Sequence, residues 1–196
     1  MMQTYNYQMK RILGMILLAV LAILPAGAFG TYGSIDFNRL TNRDGLSNSQ
    51  VCAILKDDHG YVWFGTQSGL DRFDGFRMKP YLYDDKNDQS IPNNSVDEIQ
   101  QDADGNLWVH TSLGYCLYDY ETEQFDRKPE LRLKSLGIDG APYKLFIDSK
   151  KNMWMSVYGQ GLYFVDTKNQ TAYCFRFSKK HGMGTLPDYQ VSNISE

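Results

Sequence analysis

Apolar residues in this chain fall in short clusters separated by turn residues, and the clusters recur. Val62-Trp63-Phe64, Leu107-Trp108-Val109 and Met153-Trp154-Met155 are three copies, with their tryptophans 45 and 46 residues apart. A polar phrase precedes each: Asp57-Asp58-His59-Gly60, Asp102-Ala103-Asp104-Gly105 and Asp148-Ser149-Lys150-Lys151. Gly69-Leu70, Gly114-Tyr115 and Gly161-Leu162 follow, and Asp74, Asp119 and Asp166 close the units. Apolar residues at consecutive positions mean that a strand is buried on both faces, where a half-solvated sheet would alternate. A period in the mid-forties with several short strands per unit predicts an all-β repeat fold of the propeller kind.

Each unit divides into four strands. In the first they are expected at 51–56, 61–66, 69–73 and 76–83. In the second they fall at 96–101, 106–111, 114–118 and 124–128, and in the third at 143–147, 152–157, 161–165 and 171–177. Asp58-His59-Gly60, Gln67-Ser68-Gly69 and Asp74-Gly75 supply the turn chemistry between them. No helix-period segment of useful length is visible after residue 28. The expected fold is a partial β-propeller of about three four-stranded antiparallel blades, repeats about 46–83, 91–128 and 140–177, plus the start of a fourth at 186–196. The last inference rests on the likeness of Leu186-Pro187-Asp188 through Ile194 to Ile91-Pro92-Asn93 through Ile99. The tryptophan of that fourth unit would fall near position 203. Ile35 to Leu40 reads as a lone β segment. Three blades fall short of the four to eight that close a ring, so the sequence predicts a fragment or truncated product. Its uncovered blade faces would leave it self-associating when expressed alone.

The first 28 residues read as a signal peptide, with the mature domain at 29–196. Lys10 and Arg11 precede an apolar run at 12–24, Pro25 breaks it, and Ala26-Gly27-Ala28 offers a small-residue cleavage site before Phe29. The run is too short to span a bilayer comfortably. Cleavage would leave 18 of the 20 basic residues against 23 acidic ones. That balance gives no reason to expect nucleic acid or an anionic membrane as a partner. Cys52, Cys116 and Cys174 occupy non-equivalent positions and read as buried small hydrophobes, not as a disulfide scaffold. His59, His110 and His181 are scattered, so no metal site and no cofactor is expected.

Strand alternation sorts the loops. The A–B and C–D turns lie at one end of the blades, and the B–C turns and long D–A links at the other. The links differ in length and content, at 84–94, 129–141 and 178–190, which places recognition at that end. Gln67, Tyr158 and Gln160, on B–C turns, are the candidate ligand contacts. Trp63, Trp108, Trp154, Gly69, Gly114 and Gly161 read as structural repeat positions, the tryptophans as core and not as sugar-stacking platforms. Asp102 to Asn106 reads as a turn and not a calcium loop, because the further oxygen ligands and a distal Glu are absent. Arg72 stands where the other units carry Leu117 and Phe164, and reads as a structural side chain at the blade edge.

The phrase Asp44-Gly45-Leu46-Ser47-Asn48-Ser49-Gln50-Val51, with the string from Asp57 through Gly60, Trp63-Phe64-Gly65-Thr66 and Gly69-Leu70 to Asp74-Gly75, resembles the two-component regulator propeller repeat. Units two and three depart from it: His110 and Ser156 replace Gly65, Tyr115 replaces Leu70, and Val157 replaces Thr66. The resemblance implies a periplasmic sensor region of a hybrid two-component system, itself not an enzyme, reporting glycan fragments to a histidine kinase absent from these residues. It implies an oligosaccharide ligand and, as partners, further blades and downstream domains anchored in the inner membrane. Two other classes stay open: a propeller enzyme such as a glycosidase or lyase, which needs converging carboxylates, and a structural interaction propeller.

Overall fold

The computed structural model describes residues 37, 39–177, 185–186 and 194. The chain divides into two units, Met1–Asn38 and Arg39–Glu196, and nearly all described residues belong to the second. The signal-peptide reading of residues 1–28 lies outside the described residues. Phe37, Arg39 and Leu40 form no strand, so the expected β segment at 35–40 is not seen where it can be judged.

Twelve strands form three antiparallel sheets, each in simple sequence order. Blade 1 contains β1 (Val51–Lys56), β2 (Val62–Thr66), β3 (Gly69–Phe73) and β4 (Met78–Tyr81). Blade 2 contains β5 (Val96–Gln101), β6 (Leu107–Thr111), β7 (Gly114–Asp119) and β8 (Gln124–Asp126). Blade 3 contains β9 (Pro142–Ile147), β10 (Met153–Val157), β11 (Gly161–Asp166) and β12 (Thr171–Phe177). A short β13 (Thr185–Leu186) adds to β12 in parallel. Most of the expected fourth unit at 186–196 lies outside the described residues. The backbone at Leu186 extends blade 3 and does not open a new sheet.

One carboxylate organises each A–B turn. Asp57 Oδ1 accepts from the amides of His59 (3.0 Å) and Tyr61 (2.9 Å), while its Oδ2 accepts from Trp63 Nε1 at 2.7 Å. Asp102 repeats this with Asp104, Asn106 and Trp108. Asp148 repeats it with Lys150, Asn152 and, at 3.3 Å, Trp154. Burial alone would raise the Asp148 carboxyl, but the bonds from Asn152 and Trp154 outweigh it and hold the group below its ordinary range. The turn therefore delivers the indole into the sheet at a fixed place. It also requires a left-handed residue: Gly60 at φ 89°, Gly105 at φ 82°, and Lys151 at φ 63°. Lysine tolerates that conformation poorly, so Lys151→Gly is expected to raise stability by about 0.5–1 kcal/mol, read as a higher urea midpoint at unchanged slope.

Two apolar cores lie between the sheets, as the doubly buried strands predict. Trp63 and Leu70 of blade 1 meet Ile99, Leu107, Val109 and Tyr118 of blade 2. Trp108 and Leu117 of blade 2 meet Leu145, Met153, Met155 and Val165 of blade 3. Trp63 and Trp108 are fully buried, whereas Trp154 is half-buried and packs on Phe164 and Phe175 of its own sheet. Trp63 and Trp108 each reach from their own blade into the core shared with the next.

The links are anchored. Leu46 and Ile91 lie five residues ahead of the first strands of blades 1 and 2, and both are buried. Ile138, four residues ahead of β9, is buried as well. Arg127, just past β8, donates to the Asn87, Ser90 and Ile91 carbonyls and fastens the first link. The second link contains a helical turn the sequence did not announce, α1 (Glu130–Leu133), continued as a 3-10 turn at Lys134–Leu136. It follows the short β8, three residues against seven in β12, and brings Leu133 into the core between blades 2 and 3.

Candidate functional site

Gln67, Tyr158 and Gln160 sit on B–C turns, but the structure does not gather them into one site. Gln67 donates to Cys52 Sγ and accepts from Ser95 Oγ, tying β1 to the start of blade 2. Gln160 bonds the Asp139 carbonyl and accepts from Tyr163 Oη at 2.6 Å. Tyr158 is exposed. None of them lines the cavities described below.

Those cavities open among the A–B and C–D turns and under the first link. A cavity of about 600 Å³ lies at the A–B turn of blade 2, its lining including His59, Tyr120, Asp104, Glu121, Asp126 and Arg132. A second, about 220 Å³, reaches Trp108, Met153 and Gln170. Asp104 and Arg132 line both. A third, about 530 Å³, lies by the first link between Asp88 and Lys128.

Local chemistry positions each wall. His59 stacks on Tyr120 with centroids 4.0 Å apart and planes at 22°. Tyr120 Oη donates to Asp57 Oδ2 at 2.8 Å, which fixes the ring, and burial together with that carboxylate raises its phenol above the ordinary range. The amide of Asp104 is held by Asp102, and Arg132 precedes the buried Leu133. Among the described residues, the side chains of Asp104, Glu121 and Arg132 have no partner.

A second polar cluster lies at the inner strands between blades 2 and 3. Asp97 Oδ1 is 2.6 Å from His110 Nδ1, whose ring stands 4.4 Å from that of Tyr115. Tyr115 Oη donates to Glu98 at 3.1 Å and accepts from the Leu145 amide at 2.8 Å. Burial and the nearby Glu98 charge raise this phenol. Lys144 pairs with Glu98 at 2.9 Å. The Gln100 amide bonds both the Leu145 carbonyl and the Ile147 amide, capping the edge of β9. In blade 1 the position of His110 is Gly65, where a Cβ would stand 2.8 Å from Val96 Cγ1, so β2 and β5 close tightly. His110 and Tyr115 are the departures from the repeat phrase, and that is the signal by which this seam could have been found. Its groups bond one another and line none of the three cavities above.

Arg72 takes a structural role, as expected. It donates to Tyr118 Oη at 2.8 Å and to Glu123 at 2.7 Å, and lies 4.4 Å over the Tyr61 ring. Glu123 also pairs with Lys79, and these two bonds hold its carboxyl below the ordinary range.

Several known proteins are similar to this chain. Histidine kinase P4 of Formosa agariphila is 42% identical over 55 residues, 28% of this chain and 4% of that protein. The extracellular domain of the hybrid two-component system BT3049 from B. thetaiotaomicron aligns with a TM-score of 0.34 at 20% identity, over 71% of this chain and 26% of that one. The extracellular domain of BT4673 from the same organism gives 0.42 at 25% identity, over 62% and 17%. The chain thus spans a small part of each relative's length. Residues 45–68 and 90–112 match the two-component regulator propeller family. Each match begins beside a buried rim residue, Leu46 or Ile91, and runs through the aspartate turn and its tryptophan to the B–C turn, so these two stretches are two-component regulator propeller repeats.

Proposed function

We propose that this chain is the ligand-recognising propeller segment of a two-component sensor, acting outside the cytoplasm and reporting a glycan to a histidine kinase. The observation that carries the reading is the pair of regulator propeller repeats at 45–68 and 90–112. The relative named as a histidine kinase supports it. So does a cavity lined by the His59–Tyr120 stack and by exposed charged side chains. The segment recognises and does no chemistry. Its turn aspartates are committed to amides and indoles. Among the described residues, no helix is long and apolar enough to cross a membrane.

The test is genetic. Removing the codons for 39–196 from the chromosomal copy should abolish induction of a polysaccharide-use gene set when cells move to the cognate glycan, measured by transcript sequencing. An unchanged transcriptome on every polysaccharide tried would refute the reading.

A further inference from the structure

We infer that Ser47 and Asp71 form a proton-sensitive latch at the entry to blade 1. The segment ahead of β1, residues 41–49, is held against the blade most tightly when Asp71 carries a proton, and ionisation of that side chain loosens it. The latch is a device of the fold and stands independently of the sensing reading.

The segment touches several parts of blade 1. Gly45 lies against β4, where a Cβ would stand 2.8 Å from Met78 Cβ. Leu46 is buried. Asn48 Nδ2 donates to Ser68 Oγ in the B–C turn at 2.9 Å. Between them Ser47 donates twice to Asp71 of β3, from its amide to Oδ2 at 2.8 Å and from its hydroxyl to Oδ1 at 2.6 Å. Asp71 is fully buried, and among the described residues Ser47 is its side chain's only hydrogen-bond partner. The pairing is special to blade 1. In Asp71's place the other sheets carry Cys116 and Tyr163. In Ser47's place the second unit carries Pro92, just after the buried Ile91, and proline has neither an amide hydrogen nor a hydroxyl to donate. The double donor and the carboxylate are thus present together in the first unit and absent together from the second.

Among the described residues, no cation pairs with this carboxylate. Its cross-strand row is Ile54, Phe64 and Pro80. Arg72, the next residue of β3, is bonded to Tyr118 and Glu123, and Lys79 of β4 pairs with Glu123 as well. Lys56 of β1 and Arg43 of the segment are exposed, and Asp44 is taken by the amide and hydroxyl of Thr41. Burial therefore favours the neutral carboxyl, the two bonds from Ser47 only partly counter it, and the group sits above its ordinary range. Opening the segment returns Asp71 to water and to that ordinary range. The closed form's advantage is complete below the ordinary aspartate range and is lost as pH rises through the raised one. A protonated Asp71 keeps both contacts, since Oδ2 accepts from the Ser47 amide while Oδ1–H donates to the Ser47 hydroxyl oxygen.

The test is hydrogen exchange of the full chain at about pH 4.5 and about pH 7.5, read by mass spectrometry over residues 41–49, corrected for intrinsic rates and referred to β6. Protection of the segment should be at least about threefold higher at the lower pH. Asp71→Asn offers one acceptor and one donor without charge. It should abolish the pH dependence and raise protection at about pH 7.5 by at least about threefold. Ser47→Ala leaves Asp71 with the amide alone and should lower protection at both pH values. Segment protection in the parent chain that is equal at the two pH values, or greater at the higher one, would overturn the inference. So would an Asp71→Asn chain that keeps the parent's pH dependence, because another group would then be titrating. An Asp71→Asn chain less protected than the parent at about pH 7.5, with or without loss of β6, would overturn it too, because the charge would then be what holds the segment.

Discussion

Replacing Trp63 or Trp108 by alanine is expected to cost about 3–5 kcal/mol each, while the same change at Trp154 costs about 1–2. Sequence alone would treat the three as equivalent. The first two indoles are 0% and 1% exposed and sit between two sheets, so truncation opens a cavity that close-packed neighbours cannot fill. The turn aspartates keep other partners: Tyr120 still bonds Asp57 Oδ2, and Asn106 Nδ2 still bonds Asp102. The loss is therefore mainly one of packing, and phenylalanine should recover more than half of it. Trp154 packs only on its own sheet among the described residues, and its bond to Asp148 is the longest of the three. Urea melts of the three variants give the test. Equal losses would show that the faces of the three blades are buried alike.

The expected strands match the structure closely because each is bounded by local turn chemistry. An aspartate that binds amides two and four residues on, with a glycine at positive φ, ends one strand and starts the next whatever surrounds it. The outer strands were less legible. A reading of 76–83 became Met78–Tyr81, and 124–128 became Gln124–Asp126, since the pairing of an edge strand is decided by its single neighbour. The helical turn at Glu130–Leu133 was hidden for a related reason. It places Leu133 in the core between blades 2 and 3, a tertiary contact that a four-residue segment does not announce. The links were read as free recognition loops because Leu46, Ile91 and Ile138 are single apolar residues with no periodic company. Only the spacing of five from each following strand in blades 1 and 2 marks the first two as anchors.

The candidate site was less legible still. A repeat identifies which positions are equivalent, and that favoured the ends where the repeats vary, hence Gln67, Tyr158 and Gln160. In the structure Gln67 and Gln160 are engaged within the fold and Tyr158 is exposed. The cavity at the A–B turn of blade 2 draws His59 from one blade's turn, Asp104 and Glu121 from the next, and Arg132 from a link. No spacing along the chain brings these four together; the packing of blade on blade does. The one usable signal was negative: Arg132 sits beside Leu131 and Leu133 in a link, with no acidic residue placed by the repeat to pair with it.

Gly161→Ala is expected to destabilise by more than about 3 kcal/mol, whereas Gly114→Ala, at the same repeat position, costs about 1–2. Both glycines follow a B–C turn and both have positive φ, 130° and 107°, so both substitutions carry backbone strain. The surroundings differ. A Cβ on Gly161 would lie 2.2 Å from the Phe175 carbonyl oxygen and 3.2 Å from Arg176 Cα, both backbone, while one on Gly114 would meet nothing within 4 Å. The difference comes from β12, which runs seven residues and passes alongside the start of β11. The three-residue β8 ends before it reaches Gly114. Relieving the clash at Gly161 means breaking the β11–β12 ladder near Leu162 and Phe175, so the variant should lose hydrogen-exchange protection through β12 as well as global stability. Exchange protection in β12 equal to that of the parent chain, or equal urea midpoints for the two variants, would show that strand length is not what makes this glycine indispensable in the third blade.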